Sequence, residues 1–327
     1  MKSISVNIIF VLTLLCVQSC IKEDIVPCKD NTLLLKFGYT LNNRYTNLFG
    51  SDVSEIAVYI FDDKGRYLEM SSEVGEILTN DYIMSVPLPE GSYQVVAYGY
   101  GSGLNTFSIG TLDRLTNKFD SKLETGMTDI QDLRIMLENR ETQEGYLEPV
   151  AVPRDLFFGY VAHAVSSSDA NSLTYIDLIK NTKNVTVKIT GLNALANASA
   201  IPDIYITSVN GRYKFDNTID MAHRMFKYVP THISTGDNQL EANFKMMRLV
   251  LDHTSILTIE EPAISRVIYS QDMIENIRLN PKYSSQENID REDTFVFEIN
   301  ITKNDHDIVI SLLVNGWKIK DVIPVIN

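Results

Sequence analysis

The chain has 327 residues, 44% of them hydrophobic, and 42 acidic residues against 29 basic ones give a formal net charge of −13. That balance excludes nucleic-acid binding through bulk charge, and a cysteine count of 3 excludes a disulfide framework. The length suits two domains of ordinary size, whose stability must come from apolar cores.

Lys2 gives a short positive start, and Ile8 to Val17 is apolar apart from Thr13. This run falls short of the roughly 20 apolar residues that a bilayer crossing needs. It has the length of the apolar core of a secretory signal. It exits through Val17-Gln18-Ser19-Cys20: branched apolar at −3, small at −1, then cysteine. The pattern resembles the lipobox of bacterial lipoproteins, with Gln18 less usual than a small residue. It predicts a signal peptide at 1–19, cleavage before Cys20, and lipid on Cys20. Three acyl chains there exceed the two membrane signals that stable anchoring needs. Ile21-Lys22-Glu23-Asp24 follows. Acids just after the lipidated cysteine resemble a surface-export signal of Bacteroides-type bacteria. Lys22, Glu23 and Asp24 are therefore expected to place the protein on the outer face of the outer membrane. Residues 20–30 form the lipidated tether, in which Cys28 is left without a partner once Cys16 has gone with the signal.

From Asn31 the pattern has period two, and Leu33, Leu35, Phe37 and Tyr39 share one face of a strand. Val53 to Phe61 is apolar on both faces, as in a central buried strand. It meets the turn cluster Asp62-Asp63-Lys64-Gly65, and Arg66 to Met70 returns as a hairpin partner. Ile83 to Leu88 is a further strand, closed by Pro89-Glu90-Gly91. Tyr93, Val95 and Ala97 then alternate with Gln94, Val96 and Tyr98, and Asp132 to Leu137 ends the set. Strands joined by short turns, with few helical stretches, predict an antiparallel β-sandwich over 31–150.

Glu138 to Asp155, with charge, Gly145, Pro149 and Pro153, reads as the boundary. A second β-sandwich is expected over 151–327. Leu156 to Val165 opens it, and Val185, Val187 and Ile189 alternate cleanly with polar neighbours. Ile204 to Val209 runs into Asn210-Gly211, a hairpin signal. Leu240 to Phe244 and Met247 to Leu251 are weaker strand candidates. Met273, Ile274 and Ile277 lie at helical spacing within Gln271 to Leu279, and Pro281 ends that helix. Phe295, Phe297, Ile299 and Ile301 share a face, and Ile308 to Val314 is the last strong strand before Asn315-Gly316. Ile319 to Asn327, carrying Pro324, suits a sheet edge.

No motif for catalysis stands out. There is no zinc-protease helix, nucleophile elbow or phosphate loop. His163, His223, His232, His253 and His306 are scattered outside metal-ligand spacing. Asp62-Asp63-Lys64-Gly65 lacks the alternating acids of a calcium loop. Gly99-Tyr100-Gly101-Ser102-Gly103 lacks the spacing and the following helix of a dinucleotide fingerprint. Neither an enzyme, a cofactor nor a metal is expected.

Taken in order, these landmarks resemble the fimbrial anchor lipoprotein family of type V fimbriae. The resemblance rests on Ser19-Cys20-Ile21-Lys22-Glu23-Asp24, Leu33 to Tyr39 with Asn42-Asn43, and Val58-Tyr59-Ile60-Phe61-Asp62 with Gly65. Leu88-Pro89-Glu90-Gly91-Ser92-Tyr93, Phe157-Phe158-Gly159-Tyr160 and Val185 to Leu192 follow. Ile206 to Gly211 with Tyr213-Phe215-Asp216-Asn217, and Val314-Asn315-Gly316-Trp317, complete it. The family implies two tandem transthyretin-like β-sandwich domains, an outer-membrane lipid anchor, and a place at the base of a fimbrium, where the anchor also limits length. It implies a fimbrial shaft subunit as partner through strand addition. Shaft relatives lose their first strand to a protease, whereas an anchor keeps it. Arg44, before Tyr45 in the polar stretch after that strand, is the residue where such a cut would fall, and it reads instead as a surface arginine. The alternatives are a tip or shaft adhesin of the same fold, or a surface glycan-binding lipoprotein, for which the one tryptophan, Trp317, and the 16 tyrosines are the relevant platforms.

Overall fold

The period-two run after Asn31 forms β1 (Thr32–Gly38) in a computed structural model of the protein, which describes residues 31–113, 115–169, 172–195, 201–261, 266–303 and 308–322. Leu33, Leu35 and Phe37 are fully buried. A short helix α1 (Phe49–Asp52) leads to the hairpin of β2 (Glu55–Phe61) and β3 (Tyr67–Val74). At its turn Asp62 Oδ1 accepts the backbone N–H groups of Lys64 at 2.9 Å and Arg66 at 2.7 Å, and Gly65 adopts φ +80°. The four-residue cluster is a hairpin turn. β4 (Ile83–Pro87) and β5 (Gly91–Tyr100) follow.

The next stretch gives β6 (Phe107–Leu112), β7 (Phe119–Asp120), β8 (Leu133–Leu137), β9 (Asn139–Glu141) and β10 (Leu147–Pro149). Then come β11 (Leu156–Ser166), β12 (Leu173–Asp177), β13 (Ile179–Lys180) and β14 (Thr182–Thr190). After them lie β15 (Asp203–Ser208), β16 (Arg212–Lys214), β17 (Phe226–Tyr228), β18 (His232–Gly236) and β19 (Gln239–Met247). β20 (Ser255–Glu261) and β21 (Arg266–Asp272) precede the helices α2 (Met273–Arg278) and α3 (Gln286–Arg291). β22 (Thr294–Lys303), β23 (Ile308–Val314) and β24 (Trp317–Val322) end the described chain.

Two sandwiches result. In the first, the sheet β12-β1-β4 faces the sheet β13-β11-β5-β2-β3. Leu35, Phe37, Ile56, Val58, Val95 and Phe157 lie in the core between them. In the second, β18-β19-β14-β22-β23-β24 faces β21-β20-β15-β17-β10-β9. Val187, Ile206, Leu257, Phe297 and Ile299 fill its core.

A smaller sheet, β16-β8-β6-β7, covers the back of β2 and β5. This is why β2 is apolar on both faces. Ile56, Val58 and Ile60 point into the first core, while Ala57 and Phe61 join the second. Along β5, Tyr93, Val95 and Ala97 take the first side, and Val96, Tyr98 and Tyr100 the second. Burying apolar side chains on both faces contributes roughly 1.5–3 kcal/mol apiece, so this sheet is the mechanical middle of the molecule.

Four details differ from the sequence expectation. The division at 150 does not follow the strand pairing. β11 pairs with β5 in nine register positions, from Leu156↔Tyr100 to Ser166↔Gly91, so it belongs to the first sandwich. Conversely, β9 and β10 lie in the second. Asn210-Gly211 does not join a hairpin: β15 pairs with β17 and β20, and β16 leaves to pair with β8. The buried Asn210 side chain causes the exit, donating to the carbonyls of Met247 at 3.0 Å and Arg248 at 3.1 Å and accepting from the Tyr228 hydroxyl at 2.8 Å. Met247 ends β19 opposite Thr182, and Met247–Leu251 forms no further strand. The helix expected at 271–279 is α2, capped by Asp272, whose carboxylate accepts the Ile274 N–H at 3.0 Å. Pro281 begins a further single turn, Pro281–Tyr283, and is followed by α3, which the sequence pattern did not suggest.

Candidate functional site

Cys20, Lys22, Glu23 and Asp24 lie outside the described residues. The chain they lead into enters the fold at β1, which occupies the centre of its sheet. β4 flanks it antiparallel from Thr32↔Pro87 to Lys36↔Ile83, and β12 flanks it parallel from Leu34↔Leu173 to Gly38↔Asp177. Phe37 stacks on Phe49 with centroids 5.6 Å apart, and Tyr39 meets Phe157 edge-on at 5.0 Å. Removing β1 opens both a hydrogen-bonded slot and an apolar trench.

The loop after β1 is tied at both ends. Asn42, 3% exposed, donates to the carbonyls of Tyr39 at 2.9 Å and Thr46 at 2.7 Å. Its own Oδ1 accepts the Arg44 N–H at 3.0 Å. Arg44 itself is an exposed turn residue. Tyr45 takes φ +54° and is 75% exposed. Across the loop, Arg291 of α3 donates Nη1 to the carbonyls of Thr40 and Asn42, each at 3.4 Å, and lies 4.8 Å from the centroid of the Tyr45 ring. Asn43 donates to Glu292 at 3.4 Å. The loop of the first sandwich is thus clasped by the second.

A charged seam continues the clasp. Asp155 bridges Lys180, at 3.0 Å, and Lys245, and accepts from the Thr182 hydroxyl at 2.9 Å. Lys180 also pairs with Asp293. Burial pushes the Asp155 carboxyl up, but the two ammonium groups outweigh it and hold it below the usual range. Burial likewise depresses Lys180, yet Asp155 and Asp293 leave it raised. Lys183, wholly buried, donates Nζ to the carbonyls of Asp290 at 2.7 Å and Glu292. Burial lowers it to about 8, with Asp290 and Asp293 opposing. Arg248 grips Asp290, Nε to Oδ1 at 2.6 Å. Lys282 at 2.6 Å and the Tyr283 hydroxyl at 3.0 Å both donate to Glu292. Burial pushes Glu292 up, and these partners hold it down. The seam is fully engaged in joining the two sandwiches and presents no group poised for proton transfer to a ligand.

The sequence found β1 and Arg44 but not β12, Arg291 or the seam. β12 has one fully inward residue, Ile176, too few to announce a strand, and a lone arginine in a polar helix carries no signal. Among the described residues no cluster of three or more His, Cys, Asp or Glu is arranged to hold a metal ion, and no helix is long and apolar enough to cross a membrane. His223 is lowered to about 4 by burial and, next, by Arg212. Trp317 is 48% exposed.

The sequence profile of the fimbrillin-A associated anchor proteins Mfa1 and Mfa2 matches residues 27–323. The chain belongs to this family. Among solved structures, the fimbrial anchor protein Mfa2 from Porphyromonas gingivalis aligns with a TM-score of 0.70 at 18% identity, over 89% of this chain and 99% of that one. A candidate polysaccharide-binding protein of Bacteroides thetaiotaomicron gives 0.73 at 22% identity, over 89% and 98%. A candidate adhesin of the same organism gives 0.70 at 22%, over 91% and 99%. At these identities the structures speak for a shared fold, and the fimbrial anchor or adhesin-like role comes from the family. No curated protein matches the chain.

Proposed function

We propose that this protein is the lipid-anchored subunit that holds a type V fimbrium to the outer membrane and limits its length. Its signal is removed before Cys20, the lipid sits on Cys20, and Lys22, Glu23 and Asp24 direct it to the cell surface. The observation that carries the reading is the position of β1. The lipidated tether continues directly into a strand paired on both sides, with Leu33, Leu35 and Phe37 fully buried. Pulling force on the fimbrium therefore reaches the lipid through a strand that leaves only if the first core opens. The partner is a fimbrial shaft subunit, contacted by strand addition.

The test is to determine the amino terminus of the protein on intact cells and to replace Cys20 with serine. A lipid-blocked start at Cys20, and fimbriae shed into the medium by the C20S strain, are the expected results. A start at Tyr45 assigns the chain to the processed shaft or tip subunits instead. Fimbriae of normal length, still attached in the C20S strain, overturn the anchor.

A further inference from the structure

We propose that the free edge of β18, with the groove at its foot, is a docking surface for an extended polypeptide strand whose side chains alternate apolar and basic. That this strand belongs to a neighbouring fimbrial subunit rests on the function proposed above.

Among the described residues β18 is the terminal strand of its sheet. It pairs with β19 in an unbroken register from His232↔Asn243 to Gly236↔Gln239, and all five of its residues are exposed. Edge strands are ordinarily blunted by lysine, proline, bulges or a covering loop. The sequence His232-Ile233-Ser234-Thr235-Gly236 has no lysine, proline or bulge. Its outward row of peptide groups is a template for one more strand.

Beside that edge lies a groove of about 920 Å³, formed where the outer face of the opposite sheet meets the β17–β18 connection. Its aliphatic wall is unusually open: Ile201 is 55% exposed, Val229 50% and Ile233 40%. Branched apolar side chains gathered at a rim of charged residues mark protein-interaction surfaces.

The charge of the groove selects the partner. Four carboxylates line it, Glu144, Glu148, Asp203 and Glu260, against the single ammonium of Lys227. Lys227 is already paired with Glu144 at 2.7 Å, and Arg140 with Glu148 at 3.3 Å, which leaves Asp203 and Glu260. More telling, Asp203 and Glu260 stand directly opposite each other on β15 and β20. Like charges in that relation destabilise a sheet, and neither has a salt-bridge partner among the described residues. A cation from outside relieves the repulsion. The tyrosines do not make this a sugar platform. The Lys227 ammonium sits 4.6 Å from the Tyr205 centroid and 5.8 Å from that of Tyr146. The aliphatic wall offers a sugar no hydrogen bonds.

The probe is a fluorescein-labelled nine-residue peptide alternating valine and lysine, titrated into the purified protein from Cys20 onward. An acidic counterpart replaces each lysine by glutamate. The variants are Ile233→Asp and Asp203→Lys, both at exposed positions where substitution leaves the fold intact. Binding of the basic peptide, weakened about tenfold or more by each variant and by raising the salt from 50 to 300 mM, is expected. The acidic peptide does not bind. No binding of the basic peptide up to about 1 mM, a contact weaker than about −4 kcal/mol, overturns the proposal. So does binding that both variants leave unchanged, or competition by maltoheptaose. These outcomes are independent of the C20S experiment, so the groove and the anchor fail or stand separately.

Discussion

The guanidinium carbon of Arg291 lies 4.8 Å from the centroid of the Tyr45 ring, so a side chain of the second sandwich packs against the residue that follows Arg44. The same guanidinium holds the carbonyls of Thr40 and Asn42. Proteases need several residues in extended form, and this loop must open locally before Arg44 is cut. A partly exposed cation–π contact is worth about 0.5–1 kcal/mol, and bonds from a charged donor about 1.5–3 kcal/mol each when short. At 3.4 Å the present ones fall at the low end. Arg291→Ala should therefore speed trypsin cleavage after Arg44 by roughly 5- to 30-fold, a change of one to two kcal/mol in opening. Mass spectrometry of timed digests reads it. An unchanged rate removes the clasp as a protecting element.

Phe37 is the second case. It is fully buried in β1 and stacks between Phe49 and Tyr82, at 5.6 and 6.4 Å. Phe37→Ala should destabilise the first sandwich by about 3–5 kcal/mol. In urea unfolding followed by tyrosine fluorescence, the first transition moves to lower denaturant. The strand then also becomes the first segment to lose amide protection in hydrogen exchange.

How much of this was legible beforehand depended on the range of the interaction. β2 and β5 announced themselves because both of their faces are buried, and a two-sided apolar run is a local pattern. β1 and β14 did so because one face is buried and the other is not. Of their partners only β3, the hairpin return of β2, was legible. β11 looked like the start of a new unit because Pro149 and Pro153 precede it, yet its ladder with β5 is set by matching apolar faces some sixty residues away. Asn210-Gly211 misled for a different reason. An Asn-Gly pair favours a tight turn only while the asparagine side chain is free, and here it is bonded into the second core. Arg291 and the Asp155 seam are single charged residues whose meaning exists only in the assembled molecule.

The seam makes two pH predictions of the same sign in two different windows. Asp155 is held below the usual carboxylate range in the folded protein. The unfolded chain therefore takes up a proton first, near pH 3.9. The stabilisation from its two lysines is present above that value and is lost as pH falls through the lower, folded one. Asp155→Asn should be less stable than the parent at pH 6, with the gap closing as both are taken to strongly acid pH. Thermal unfolding at a series of pH values checks it, and a gap that persists unchanged into strong acid contradicts it.

Lys183 acts in the same direction in an alkaline window. Burial lowers it to about 8 in the fold, against about 10.4 unfolded. Between those values the unfolded chain holds a proton that the native protein has released. Stability contributed by this group thus rises with pH across the window, with a slope of at most about 1.4 kcal/mol per pH unit. Lys183→Met removes that rise. It also leaves the carbonyls of Asp290 and Glu292 without their donor, at about 1–3 kcal/mol each. The variant should be less stable throughout, and the deficit should widen between pH 8 and 10. A constant deficit across that range contradicts an ionisable Lys183.

Two glycines separate clash from consequence. A Cβ at Gly38 would overlap the Tyr175 hydroxyl, and a Cβ at Gly211 would overlap the Phe226 ring. The Gly38 overlap is the deeper, yet it is the cheaper one. Tyr175 is 48% exposed on the outer face of its sheet and can swing away, whereas Phe226 is fully buried and stacked on Tyr228 at 5.9 Å. Gly38→Ala should therefore cost under about 1 kcal/mol, the range of ordinary surface changes. Gly211→Ala must push an aromatic ring through a filled core, at about 1–3 kcal/mol or more. Because Gly211 is where the chain leaves β15 for β16, its substitution should also loosen the sheet that backs β2 and β5. Calorimetry of the two variants side by side tests the order, and a larger loss in G38A than in G211A refutes it.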